Sequence, residues 1–271
     1  MINLIIWSKD RAPQLHLLLE SIERFAPDTF RPSILYAFSH EKYQAGYEIL
    51  KGQFPDVGFF LEGDKHRLGN WTKECIKWNY EQVAFSTDDT VLFSHILPFN
   101  EWKHLISDDI VSFSLRYGFN TIVQNYHTGE LQPPIQMYDK DGQGAISWFF
   151  SHYHPLHNYG YPFGLDMHIY RRELLLILLK NEEFKTTNEL ETLLFNKKSQ
   201  SPQRLRSFAT SKAVNIPVNN LSGITLSGKD FDCPMDYLND EYLLGKRINL
   251  QKIVETDIRG SHQEIALEFD D

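Results

Sequence analysis

Val83-Ala84-Phe85-Ser86-Thr87-Asp88-Asp89-Thr90-Val91-Leu92-Phe93 is the stretch on which the reading of this chain turns. Apolar residues flank two adjacent carboxylates on both sides. A short apolar run that breaks at polar residues reads as a buried strand delivering side chains at its C-terminal end. In an open α/β sheet, ligands bind outside that end. Two hard oxygen ligands there suit Mg²⁺ or Mn²⁺, and such an ion suits a diphosphate. The competing reading is a plain turn, because Asp is common where strands end. The flanking sequence has to decide.

Toward the N-terminus, strand and helix patterns alternate. Leu4-Ile5-Ile6-Trp7 reads as a first buried strand. Pro13 suits the first turn of a helix, and Leu15, Leu18, Leu19, Ile22 and Phe25 recur at helical spacing as far as Phe25. Ser33–Phe38 and Val57–Leu61 read as further strands, Glu41–Phe54 and Asn70–Tyr80 as helices. The strand ending at Asp88 follows. This β-α-β-α-β-α-β order predicts a parallel sheet covered by helices. No GxGxxG follows the first strand, where Trp7-Ser8-Lys9-Asp10-Arg11 stands, and no GxxxxGK[ST] occurs. Dinucleotide and P-loop fingerprints are therefore missing.

Toward the C-terminus the regularity lapses. Glu101–Ile106 suggests a short helix, and Ile110–Leu115 a strand ending at Arg116. Tyr126–Ser147 is a long polar segment, expected to be functional or mobile. Within it Asp139–Gly144 starts like a calcium loop, but Phe150 stands where the bidentate Glu belongs, so it reads as turns. Trp148–Tyr161 is dense in aromatics and carries His152, His154 and His157. Pro155 breaks any helix that could aim those histidines at one zinc ion, so a partly exposed aromatic binding wall is expected. Alternation over Leu165–Ile169 predicts a short strand with Asp166 and His168 on one face. A helix follows from Leu174, and Thr186-Thr187-Asn188-Glu189 has capping-box spacing. Glu189 and Glu191 are then either caps near the positive end of a helix or functional carboxylates. Lys197–Arg206 reads as an exposed basic linker, Val214–Asn219 as an edge strand around Pro217, and Asp236–Ile253 as a last helix or helix pair.

With 271 residues the chain is long enough for a substantial core, and its charge of −9 argues against a general nucleic-acid binder. Cys75 and Cys233 form no CxxC pair, which excludes a disulfide framework or Cys-based zinc site and fits a reducing compartment. The apolar N-terminal run is too short for a signal peptide and no stretch nears the ~20 apolar residues of a membrane span. A cytoplasmic protein is the expectation.

Several of these segments together resemble nucleotide-sugar glycosyltransferases of the GT-A fold, in particular bacterial family-two-like members. Ile5–Arg11 followed by Leu15 and Leu18-Leu19-Glu20-Ser21-Ile22 resembles their opening strand, donor loop and first helix. Phe85-Ser86-Thr87-Asp88-Asp89 is similar to their DxD-type motif in a TDD variant. Pro162–Arg171 resembles a P-x-x-x-D-G-H-I-Y/F-R segment, with Met167 where Gly is more usual. Asn188-Glu189-Leu190-Glu191 and Ile216-Pro217-Val218-Asn219 look like later landmarks.

The resemblance implies one α/β domain over residues 1–271. Residues 1–93 would bind the nucleotide-sugar donor, and 94–271 would face an acceptor hydroxyl of unknown chemistry. It implies Mn²⁺ or Mg²⁺ on Asp89, with Asp88 in support and His168 as an additional ligand. Ser8, Asp10 and Asp88 become donor contacts; Arg11, Arg67, Arg116 and Arg171 are candidate phosphate clamps because guanidinium is a permanent bidentate donor, and of these Arg11 and Arg171 gain from the resemblance. An inverting transferase needs a carboxylate to deprotonate the acceptor; Asp166 is the first choice and Glu191 the second, the alternative for Asp166 being to orient the donor sugar. Thr87 and Met167 depart from the motifs. They keep open a non-catalytic carbohydrate-binding protein, and a sugar-phosphate nucleotidyltransferase is the other alternative, although its Gly-rich loop is missing.

Overall fold

Strand β1 (Ile2–Lys9) is buried along nearly its whole length. Ile2, Leu4 and Ile6 pack into one hydrophobic layer, and Ile5 and Trp7 into the other. Burial on both faces is what a central parallel strand requires. The computed structural model describes residues 1–125, 128–137, 139–140, 144–218 and 233–270.

The first half follows the predicted alternation. After β1 come α1 (Ala12–Phe25), β2 (Phe30–Ala37), α2 (Glu41–Gln53), β3 (Gly58–Leu61), α3 (Leu68–Ile76) and β4 (Gln82–Thr87). Pro13 lies in the first turn of α1, where its missing N–H costs nothing. The four strands are parallel in the order β3-β2-β1-β4.

The second half adds β5 (Thr90–Leu92), α4 (Phe99–Trp102), β6 (Ile110–Ser114), β7 (Val123–Asn125), β8 (Glu130–Leu131), β9 (Asp139–Lys140), β10 (Ala145–Phe149), β11 (His168–Arg171), α5 (Arg172–Leu178), α6 (Thr187–Asn196), β12 (Arg204–Phe208), β13 (Ala213–Asn215), α7 (Met235–Leu243) and α8 (Leu250–Val254). The sheet continues from β4 as β11-β6-β12-β10-β9, nine strands among the described residues. Strand β11 is antiparallel to both β4 and β6, and β10 is antiparallel to β12 and β9. The result is the expected open, mostly parallel α/β sheet flanked by helices. Separately, β13 pairs antiparallel with β5, Asn215 opposite Thr90. Among the described residues no helix is long and apolar enough to cross a membrane.

Three expectations are corrected. The basic segment before Arg206 is not wholly a linker, because β12 is an interior strand in which Leu205 and Ser207 are fully buried. Its arginines are accommodated by partners: Arg204 pairs with Asp109 at 2.9 Å, and Arg206 donates to the Leu105 carbonyl at 3.0 Å. The aromatic stretch is largely core, not an exposed wall. Trp148, Phe150, Tyr153, Tyr159 and Phe163 are buried in one cluster, and Trp148 Nε1 donates to the Tyr159 carbonyl at 2.9 Å. The polar segment from Tyr126 to Ser147 carries β8, β9 and the start of β10, while 126–127, 138 and 141–143, including the middle of the calcium-like sequence, lie outside the described residues. So does Asn219, at the end of the proposed edge strand.

Candidate functional site

The strand directions explain why distant residues meet. β4 and β6 end at one edge of the sheet, and the antiparallel β11 begins at that same edge. Residues following β4 (Asp88, Asp89), following β6 (Arg116) and preceding β11 (Asp166) therefore converge, and β13 brings Asn215 alongside.

Asp88 and Asp89 form the turn between β4 and β5 and face different surroundings. Asp88 is completely buried. Its Oδ1 lies 2.6 Å from Arg11 Nη2, and its Oδ2 accepts from the Lys9 backbone N–H at 3.3 Å. Burial lifts this carboxyl to about 6, against the pull of Arg11 and with the charge of Asp89 adding to the rise. Asp89 keeps 17% of its side chain accessible and lies 3.6 Å from Arg11 Nη1. Its Oδ1 accepts from the Asn215 amide at 3.2 Å and meets the Thr87 hydroxyl.

That hydroxyl also lies 2.6 Å from Asp166 Oδ1. Two carboxylate oxygens thus crowd one O–H, which has a single proton to donate. Burial by itself would raise the Asp166 pKa, but the Arg116 guanidinium and the Thr87 hydroxyl hold it below the usual carboxylate value. Arg116 is itself buried, donating from Nε to the Asp166 carbonyl at 2.7 Å and from Nη1 to Asn215 Oδ1 at 2.8 Å. His262 Nε2 stands 3.2 Å from the same Nη1. Burial and Arg116 depress the His262 imidazole to about 4.

Glu191 approaches from α6. Thr186 caps that helix by accepting the Glu189 N–H at 3.1 Å, and Glu189 turns back to the Lys185 N–H at 2.6 Å. Glu189 is thus spent on the helix end, which leaves Glu191 as the inward carboxylate. It accepts from the Leu165 backbone, next to Asp166; burial and the Asp166 charge push its carboxyl up to about 7.

Other expected site residues stand elsewhere or are tied up. Arg67 is exposed, paired with Asp64 at 3.0 Å, beside a cleft of about 460 Å³ between α3 and the segment before α6. Arg171 pairs opposite Gln82 at the start of β4, the far edge of the sheet, and bonds Asp108 at 2.9 Å. His168 is buried within β11; its Nε2 bonds Ser114 Oγ at 3.0 Å and its Nδ1 lies 3.4 Å from Ser112 Oγ. Burial and Arg116 push the imidazole well below its ordinary value. Ser8 Oγ bonds the Tyr47 hydroxyl at 2.7 Å. Asp10 adopts φ 59 and accepts from the Ser39 N–H at 2.6 Å, so its carboxylate ties the β1 and β2 loops together. Met167 also has positive φ, 51, which supplies a reason for glycine to be usual there.

The sequence pattern places Asn215 only in an edge strand, and His262 carries no sequence signal at all. A contact between residues 116 and 262 leaves no periodicity to detect.

Fold and site together define an α/β protein with carboxylates and a buried guanidinium gathered at the C-terminal edge of its sheet. Among solved structures the chain is similar to S. aureus TarS residues 1–349, with 15% identity over 79% of this chain and 60% of that one, at a TM-score of 0.47. The same TarS segment in complex with UDP-GlcNAc matches at 13% identity, covering 79% of this chain and 58% of that one, TM-score 0.47. The mannosyltransferase PcManGT from Pyrobaculum calidifontis, in complex with GDP-Man and Mn²⁺, matches at 13% identity over 78% and 54% of the two chains, TM-score 0.44. The chain thus spans about 60% of the length of the TarS segment. No family profile and no curated protein matches it. Similarity this distant does not assign chemistry, which has to come from the residues.

Proposed function

We propose that this chain is a nucleotide-sugar-dependent glycosyltransferase, inverting and metal-assisted, that passes a sugar from a nucleoside diphosphate to an acceptor hydroxyl. The observation that carries the reading is the convergence of Asp89, Asp166 and Glu191 from three separate segments beside Arg116. One carboxylate is held ionised, while another is lifted to about 7. Such a split separates a charge-holding group from a proton acceptor.

The residues fit a divalent ion of the Mg²⁺ or Mn²⁺ type. Among the described residues no three His, Cys, Asp or Glu side chains form a complete metal cage. These ions are usually held by one or two carboxylates with substrate phosphates completing the shell. Asp89 and Asp166, which already crowd the single Thr87 hydroxyl, would supply that pair. Bound there, the ion would provide Lewis-acid stabilisation of a departing diphosphate.

The remaining work falls to the protein. Arg116 keeps Asp166 anionic, and Asn215 orients Asp89 through its amide. Arg11 compensates Asp88 and so fixes the first loop against the turn that carries Asp89. Glu191 takes the acceptor proton, a role for which a pKa near the working pH is optimal. Asp166 becomes the charge-holding group and Glu191 the base, reversing the order of preference drawn from sequence. The net charge of −9 keeps nucleic acid off the list of partners.

The test is a thermal-shift series with UDP, GDP and TDP and their sugars, with and without Mn²⁺, beginning with UDP-GlcNAc and GDP-Man. A Mn²⁺-dependent rise in Tm that Asp89→Ala abolishes is expected. An Asp89→Ala protein that binds as well as the wild type would refute the metal role. Pyrophosphate release from a nucleoside triphosphate and a sugar phosphate would point instead to nucleotidyl transfer.

A further inference from the structure

Arg116 Nη1 has two hydrogens and four acceptors around it. Asn215 Oδ1 is at 2.8 Å, His262 Nε2 at 3.2 Å, the Ser261 carbonyl at 3.4 Å and Asp166 Oδ2 at 3.7 Å. Nε is already engaged by the Asp166 carbonyl at 2.7 Å. The two shortest contacts take the two hydrogens, so the carboxylate of Asp166 goes without a direct hydrogen bond from Nη1. This distribution is unusual, since a guanidinium free to choose closes on a carboxylate at about 2.7–2.9 Å.

His262 reaches the site because the C-terminal segment lies along β13. Asn215 N–H donates to the Ser261 carbonyl at 3.0 Å, and Gln263 N–H donates to the Asn215 carbonyl at 2.9 Å. Upstream, Val123 N–H donates to the Arg259 carbonyl at 2.9 Å, which anchors the segment on its other side. The backbone that carries the ring is thus held on both flanks of His262. With Nε2 accepting from Arg116, the ring proton sits on Nδ1, which faces Ser261 Oγ at 3.3 Å. Burial and the neighbouring guanidinium both favour the neutral ring that this arrangement needs, and Asp166 is the opposing charge.

We infer that His262 is a positioning residue: its neutral imidazole takes one Nη1 hydrogen of Arg116 and so keeps the guanidinium from closing on the Asp166 carboxylate. Asp166 is then compensated by a nearby positive charge while its oxygens stay turned toward Thr87 and whatever binds there. Without the imidazole, Nη1 is free to take Asp166 Oδ2, and the carboxylate is drawn out of the site. The role acts through Arg116 and requires no contact between His262 and a ligand.

The test uses the full chain in two arms, of which only the kinetic arm rests on the glycosyl-transfer reading. In ¹⁵N-histidine NMR near neutral pH, His262 should be the Nδ1–H tautomer, with an unprotonated Nε2 whose resonance moves in Arg116→Met. A wild-type ring protonated on Nε2, or a resonance indifferent to Arg116→Met, overturns the inference. In turnover assays with Mn²⁺ and whichever of UDP-GlcNAc and GDP-Man is used, His262→Ala should lower kcat on the order of tenfold to a hundredfold. The Mn²⁺ concentration needed for half-maximal rate should rise in the same variant, because Asp166 is one of the two carboxylates proposed to hold the ion. His262→Gln, whose amide oxygen can accept the same hydrogen, should recover most of the rate; a Gln variant as slow as Ala overturns the inference. If the wild-type protein turns over no nucleotide sugar, the glycosyl-transfer reading fails, and the tautomer decides the role of His262 alone.

Discussion

Arg11→Met isolates the buried charge on which the first loop is built. Methionine keeps much of the arginine's apolar volume and removes its charge, leaving Asp88, fully buried, with only the Lys9 N–H and neighbouring hydroxyls. In the wild type the Asp88 carboxyl is raised from 3.8 to about 6, a difference of 6 − 3.8 = 2.2. At about 1.36 kcal/mol per pH unit this corresponds to about 3 kcal/mol. A carboxyl raised on folding stabilises the fold below its unfolded pKa, and that contribution is lost as pH rises through the folded value. For the wild type the loss therefore falls between pH 4 and 6 and is complete above 6. In Arg11→Met, burial acts unopposed and carries the carboxyl to roughly 8 or beyond. Stability then goes on falling by about 1.4 kcal/mol per pH unit from pH 6 to 8. The penalty of the substitution should be smallest near pH 5 and about 2 kcal/mol larger at pH 8 than at pH 6, the wild type losing only about 0.4 kcal/mol over that interval. Urea unfolding followed by tryptophan fluorescence at pH 5, 6, 7 and 8 measures this directly. An Arg11→Met penalty that does not change with pH would refute the reasoning, and adding Asp88→Asn should remove the pH dependence.

Glu191→Gln should abolish the limb near pH 7 in kcat/KM and lower the rate by about 10²–10⁴-fold, as removal of a general base does; a retained limb assigns the base to another group. The same variant should relieve the stability that the wild type loses as pH rises from about 4.5 toward 7, because the Glu191 carboxyl is raised on folding. Met167→Gly removes a left-handed strain of about 1–2 kcal/mol but empties a fully buried side-chain site, which costs about 2–5 kcal/mol. Net destabilisation is expected in urea melts, and a stabilised variant would show that the backbone strain outweighs the packing.

Which residues could be placed in advance follows from the range of the forces that place them. The β-α alternation through Asp89 was legible because each element declares itself within a few residues, by apolar periodicity and by Pro13. Thr186 declared its cap in the same local way. Lys197–Arg206 misled because charged residues resemble a solvated linker, until Asp109 and the Leu105 carbonyl supply their partners. Trp148–Tyr161 misled because aromatic density is the same in a binding wall and in a core.

The sequence by itself determined the parallel half of the sheet, the carboxylate turn at its C-terminal edge and the helix that presents Glu191. Only the tertiary structure decided the use of each group. Asp88 became a buried counter-ion and Asp89 the accessible member of the pair because the turn directs one inward beside Arg11 and the other toward Thr87 and Asn215. Arg171 was carried to the far edge of the sheet because β11 runs antiparallel to β4, a direction that no local pattern encodes. His262 entered the site through a segment lying along β13, where hydrogen bonds between residues far apart in the chain, unlike the periodicity of a helix or strand, leave no trace in the order of the amino acids.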